Sequence, residues 1–320
     1  SMRMTPRTLV VLASARAAAA LSTSSSSSAN IFSSTSARPL DAKRVLFTAP
    51  REYAPGLASS LVRAGARPLW LPTVHYSSLA EADLTELDDA ALRLTDYRVL
   101  ALTSAAATDA FVLRGARLGD GDVVALRLML QASGVEVAAI GSAASRLREL
   151  GIQPTIVPLD HSALGLANAL AELDIVKADE RVLLPVPRSA SEGLLAAERA
   201  WQQPFIERLQ GVGAYVERVD AYEAAVTFDE VDDAGLQRLI DGDLDALVLA
   251  SAFELYGLLE RLRGLTKLTW PPIAAVGADT ISACAACGLP MPAVSIERGS
   301  DGHKVCDALT EHFSEGKLLW

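Results

Sequence analysis

Short apolar runs alternate with longer segments of helical spacing from Arg44 onward. Strand-like runs begin at Arg44 (RVLFTA), Arg67 (RPLWLPTVHY), Arg98 (RVLALTS), Val135 (VEVAAIG), Thr155 (TIVPL), Arg181 (RVLLPVP) and Tyr215 (YVERVDAYEA), then near Leu244, Ile273 and Ala293. The first helical segment follows Pro50 and runs to about Ala64, where Gly65 is a natural stop. Others follow Ser104, end at Leu150, or run to about Val212. Strands apolar on both faces, separated by helices, predict parallel sheets covered on both sides. The acidic stretch Glu81–Asp89 predicts a solvated helix face.

The pattern repeats. IGSAASRLRELG from Ile140 is echoed by VGADTISACAACGL from Val276, and LALTSAAATDAF from Leu100 by LVLASAFELYGLL from Leu247. A repeat of this length is too long for a solenoid unit and predicts two similar α/β domains, each with a flavodoxin- or Rossmann-like parallel sheet. Two such domains commonly hold a ligand between them.

Charge and composition narrow the partners. A formal net charge of −10 argues against nucleic acid. Three cysteines cannot make a disulfide framework and point to a reducing compartment. Between Arg3 and Leu40 there is no acidic residue; Arg3, Arg7, Arg16 and Arg38 are the only charges, and Ser22–Ser28 is serine save for Thr23. That composition predicts a transit peptide over residues 1–40. A secretory signal, or the first part of a bipartite plastid signal, are the alternatives. The apolar run Leu9–Leu21 is interrupted by Arg16 and too short to span a bilayer, so no membrane partner is expected. Removing the leader takes the formal charge from −10 to about −14.

The usual cofactor signatures are missing. No GxGxxG follows a strand and no P-loop motif occurs, so neither a nicotinamide, a flavin nor a nucleotide is expected. Cys284 and Cys287 form a CxxC within a predicted helix and read as core residues; no metal site is expected, and His75 and His161 read as surface or linker histidines. Hydroxyls stand at strand ends instead: Thr48, Thr103, Ser104, Ser142 and Ser251, with Thr280 in the turn after a strand. Each alone reads as a helix N-cap worth about 1 kcal/mol. Together they set hydroxyls and helix N-termini at the ligand-binding end of two α/β sheets, which suits a polycarboxylate.

VLFTAP at Val45, ALTSAAATDAF at Ala101, VAAIGSAASRLRELG at Val137, RVLLPVPRSASEGL at Arg181, VERVDAYEA at Val216, ALVLASAFEL at Ala246 and IAAVGADTISACAACGL at Ile273 follow one another in an order that resembles the uroporphyrinogen-III synthase family. The resemblance implies two α/β domains joined by a two-stranded β connector. One would comprise residues 43–73 with 223–320, the other residues 78–217, with connectors at 74–77 and 218–222. A plain tandem repeat would divide the chain differently.

The implied reaction closes hydroxymethylbilane to uroporphyrinogen III, inverting ring D and losing water, in heme and chlorophyll synthesis. The enzyme orients its substrate and needs no cofactor. The resemblance makes Tyr222 the candidate acid, a phenol that is protonated at neutral pH. It makes Thr48, Arg51, Thr103, Ser104, Ser142, Arg188, Ser251 and Thr280 candidate substrate contacts. The chain departs from the family pattern where a threonine is replaced by Ala143 or Ala144, with Ser142 or Ser145 as substitutes, where Ala250 stands before Ser251, and where Ala49 replaces an arginine. These departures leave a non-catalytic two-domain ligand- or tetrapyrrole-binding protein as the alternative. A monomer in the plastid stroma, or else the mitochondrion, with transient contact to the preceding pathway enzyme, completes the expectation.

Overall fold

Among the described residues the apolar runs become ten strands in two five-stranded sheets. The structure is a computed structural model and describes residues 38, 40–119, 121–228, 233–265, 267–296 and 302–315. The expected leader, apart from Arg38 and Leu40, lies outside them. In chain order come β1 (Arg44–Phe47), α1 (Ala54–Arg63), β2 (Arg67–Trp70), β3 (Val74–Ser77), α2 (Thr85–Leu92), β4 (Val99–Leu102), α3 (Ala105–Leu118), α4 (Val123–Ser133), β5 (Glu136–Ala139), α5 (Gly141–Glu149) and α6 (Ala163–Glu172). Then follow β6 (Arg181–Ser189), α7 (Glu192–Gln210), β7 (Tyr215–Val226), α8 (Asp233–Ile240), β8 (Ala246–Leu249), α9 (Ala252–Arg261), β9 (Ile273–Val276), α10 (Ala278–Ala286), β10 (Val294–Ile296) and α11 (Gly302–Glu315).

One sheet has the order β10-β9-β8-β1-β2, parallel throughout, and joins strands from both ends of the described chain. The other has the order β3-β7-β6-β4-β5, parallel except for the β3–β7 pair. Alternate strand residues serve opposite faces. Val45 and Phe47 pack toward α1 and α11, while Leu46 packs with α8, α9 and α10. Leu100 and Leu102 face α2–α5, and Val99 and Ala101 face α6 and α7. Both faces are dry, so these strands are apolar at every position. The internal repeat has a structural counterpart: β4 lies beside β5 as β8 lies beside β9.

Four expectations change. The run from Arg67 is broken at Pro72, which has no N–H for a ladder, and its halves join different sheets. Arg261 Nη1 donates to the Pro72 carbonyl at 2.9 Å, and Thr73 Oγ1 to the Glu254 carbonyl at 2.8 Å, pinning this crossover to α9. Gly257 of α9 sits so close to the Thr73 carbonyl that a Cβ there would collide with it.

The return connector also moves. Val74–Ser77 pairs antiparallel with Glu223–Val226, whereas residues 218–222 still pair with β6. β7 is one long strand shared by the sheet and the connector, so its pattern runs on without a break. The strand at Thr155 shrinks to one bridge, Ala138 with Ile156, because Pro154 and Pro158 flank it without N–H groups.

The last change is at the start of the fold. Leu40, placed by its composition at the end of the leader, is fully buried beside Val45, Phe47 and Leu61. Its N–H donates to the Ala64 carbonyl at 2.9 Å, and its carbonyl accepts from Lys43 N–H at 3.1 Å. Leu40 therefore belongs to the core.

Candidate active site

The C-terminal ends of β4 and β5 in one sheet and of β8 and β9 in the other border a single cavity of about 210 Å³. Each pair of strands leads into one capped helix and one helix without a side-chain cap. Ser104 accepts from Ala107 N–H at 3.0 Å and Ser251 from Glu254 N–H at 3.2 Å, closing the first turns of α3 and α9. α5 and α10 have no side-chain cap, and glycines with positive φ stand at their starts, Gly141 at 46° and Gly277 at 86°. Glycine tolerates that backbone, and it opens the first turn of each helix to an anion.

Tyr222 stands where this cavity meets a second one of about 220 Å³; it and Tyr76 line both. Its hydroxyl lies 3.3 Å from Ser104 Oγ, either oxygen being able to donate. Burial pushes the phenol up to about 12; the Ser104 bond pulls it down and Glu198 adds to the rise. Glu198 is itself buried, accepting from Ser189 Oγ at 2.6 Å, Arg218 Nη2 at 2.6 Å and Gln202 Nε2 at 2.9 Å. The phenol thus stays protonated across the physiological range.

Thr103, Ser104, Ser142, Ser251 and Thr280 line the first cavity with Tyr222. Three expected contacts do not. Thr48 is fully buried, and its hydroxyl donates to Glu254 Oε2 at 2.7 Å and to the Val248 carbonyl at 3.3 Å, so it faces the protein. Arg51 lies over the Trp70 ring at 5.4 Å, in a separate cavity outside the connector. Arg188 is held by Asp83 and Asp220, both at 3.0 Å. Residues passed over in the sequence line the cleft too. His161 Nδ1 accepts from Gly141 N–H at 3.4 Å. Asp279, at the start of α10, has its carboxyl raised by burial and by Asp160, against the lowering effect of Ala163 N–H.

Beneath the Ser251 loop, Glu254 Oε2 accepts from Thr48 and from Ala250 N–H at 3.1 Å, and Oε1 from Ser251 Oγ at 3.3 Å. Burial pushes its carboxyl up to about 7 against the lowering effect of these donors. The folded state therefore keeps a proton that the unfolded chain releases near 4.5. Its stabilising effect is complete below the unfolded value and is lost as pH rises through 7, a fall of about 3 kcal/mol. Glu254→Gln is expected to flatten stability between pH 5 and 8, read from denaturant midpoints. An unchanged slope in the variant would assign the effect elsewhere.

The sequence profile of the uroporphyrinogen-III synthase HemD family matches residues 56–303. The chain belongs to the uroporphyrinogen-III synthase family. Its activity is that family's: a cyclising lyase of tetrapyrrole synthesis that takes hydroxymethylbilane to uroporphyrinogen III. Among solved structures, a selenomethionine-labelled mutant of uroporphyrinogen III synthase from Thermus thermophilus aligns with a TM-score of 0.53 and 18% identity, covering 86% of this chain and 100% of that one. Wild-type uroporphyrinogen III synthase from the same organism aligns with a TM-score of 0.44 and 18% identity over the same shares. No curated protein matches the chain. The first of these likenesses shows a shared uroporphyrinogen-III synthase fold.

Proposed function

We propose that the cleft at the strand ends is where hydroxymethylbilane is closed, with Tyr222 as the acid. The observation that carries this reading is the buried, protonated Tyr222 hydroxyl beside Ser104 at the junction of the two cavities. Tyr222 gives its proton to the hydroxyl leaving ring A, so that water departs and a cationic azafulvenium remains on ring A, with Tyr222 as its phenolate. Water is a far weaker acid than a phenol near 12, so the transfer runs downhill even with the raised value. Ring D then attacks through its substituted carbon, forming a spiro-pyrrolenine that fragments and recloses inverted.

Substrate carboxylates lie toward the first turns of α5 and α10, beside Ser142 and Thr280, where helix N–H groups favour negative charge, with His161 and Asp279 as neighbours. Ser251 and Thr103 supply further hydroxyls. Arg51 and Arg188 have no part in this reading. We infer that the two cavities act as one cleft, and that the domains part at the two-stranded connector to admit a tetrapyrrole and close to exclude water. The acid-free, serine-rich leader supports import into a plastid, and one chain contains the whole cleft, which supports action as a monomer.

The test is a coupled assay that feeds fresh hydroxymethylbilane to the protein and separates the product isomers by chromatography. Predominant type III product supports the reading. Type I product alone, at the rate of the enzyme-free control, would reject it.

A further inference from the structure

Tyrosine is scarce in this chain, with six in 320 residues, yet three of them meet at the cleft. Tyr76 and Tyr222 touch edge to face, centroids 5.4 Å apart at 90°. Tyr53, from the segment between β1 and α1, approaches Tyr76 at 6.5 Å and 57°. The register explains the first contact: Tyr76 of β3 pairs with Ala224 of β7, and Tyr222 lies two residues from Ala224, on the same face. Tyr76 is half-buried and lines both cavities, so its ring is a wall of the cleft.

The charges around these rings are mixed, and most are paired with one another. Burial raises the Tyr76 hydroxyl, with the neighbouring tyrosines and the charges of Glu254 and Glu52 adding to the rise. Burial raises the Tyr53 hydroxyl as well, with Asp109, Tyr222 and Glu52 adding to the rise and Arg146 opposing it. Arg146 is paired with Asp109 at 2.5 Å; Arg114 and Arg117, both on this wall, are paired with Glu81, and Arg114 with Asp88 as well. The aromatic end of the cleft therefore offers ring faces to a positive charge, while the first turns of α5 and α10 offer helix N–H groups to a negative one. A substrate that carries carboxylates and becomes cationic on reaction fits both ends at once.

We propose that Tyr76 contacts the reacting ring of the substrate and stabilises its cation through the face of the phenol ring. This rests on the reaction proposed above. As Tyr222 protonates the departing oxygen, the C–O bond breaks and water leaves. The pyrrole nitrogen lone pair forms the new exocyclic double bond, leaving positive charge on ring A. Ring D supplies the electron pair that discharges this cation, and the proton lost as the last pyrrole regains aromaticity returns to the Tyr222 oxygen. Between ionisation and the attack of ring D, the ring-A cation sits beside Tyr76, with the Tyr222 phenolate as its counter-charge. An aromatic face attracts a cation by its quadrupole, most strongly where water is excluded. This interaction exists only after ionisation, so it raises kcat and leaves substrate binding alone.

The test is a series at position 76, scored for kcat, KM, product affinity and melting temperature. Tyr76→Phe keeps the ring face and is expected to retain kcat within about threefold. Tyr76→Leu keeps apolar volume without the face and is expected to lose kcat by about tenfold to thirtyfold, with KM and affinity for uroporphyrinogen III unchanged. Replacing Tyr76 with phenylalanines carrying one, two and three ring fluorines keeps the shape while draining the face. Their kcat is expected to fall stepwise with fluorine number, and this series decides the matter even where Tyr76→Leu folds poorly. A flat fluorine series overturns the proposal, as does a loss in Tyr76→Phe equal to that in Tyr76→Leu. Wild-type turnover is scored first: its absence refutes the reaction itself, whereas normal wild-type turnover with a flat series refutes only the role of Tyr76.

Discussion

Tyr222→Phe is expected to fold normally and to turn over hydroxymethylbilane about 100-fold more slowly. The change removes one oxygen and its bond to Ser104, worth about 1 kcal/mol, from a site whose ring packing is retained. The rate loss is the lower end for a general acid. Activity persists because hydroxide leaves slowly unaided and the cleft still orients the ends of the chain. The residual product is expected to remain mainly type III, since isomer choice follows from how rings A and D are held. Ser104→Ala is the informative companion: it leaves the phenol in place and is expected to cost far less. Rate retained with product shifted to type I would remove the acid role from Tyr222 and give it a positioning role instead.

A chain cut to begin at Asp41 is expected to melt roughly 6–12 °C below one that begins at Arg38. The cut removes the Leu40 side chain from a fully buried position, the two backbone hydrogen bonds of Leu40, and the bond from Asp41 N–H to the Arg38 carbonyl. Emptying such a site costs about 3 kcal/mol, and each kcal/mol moves the midpoint of a chain of this size by about 2–4 °C. Activity at low temperature should survive in both, because Leu40 lies at the base of its sheet, away from the strand ends that border the cleft. Equal melting temperatures would show that the space closes without cost.

The repeat was readable because both halves carry the same local chemistry: an apolar strand, a serine or glycine at its end, and a small-residue helix. Tyr222, Ser104 and Ser142 stand at such strand ends or in the strand that crosses between domains, so their place at the cleft follows from topology. Thr48 shows where this reasoning stops. A hydroxyl after a strand looks the same whether it faces a ligand or a buried acid, and Glu254 lies some 200 residues away in sequence. Arg188 is similar, since its partner Asp83 comes from another element. Leu40 was hidden because one apolar residue at the end of an acid-free segment has no periodicity to betray it. Tyr76 left a faint signal, an aromatic residue within the connector of a chain only 5% aromatic, but its contact with Tyr222 depends on strand register. The late position of the return connector was invisible because β7 changes partner without changing its pattern.

The most direct measurement is a structure of the protein with uroporphyrinogen III bound. The tetrapyrrole is predicted to lie between the strand ends of the two sheets, with a bridging methylene within reach of the Tyr222 hydroxyl and carboxylates on the first turns of α5 and α10. A tetrapyrrole bound elsewhere, such as the cavity beside Arg51 and Trp70, with the cleft between the sheets left empty, would contradict the account.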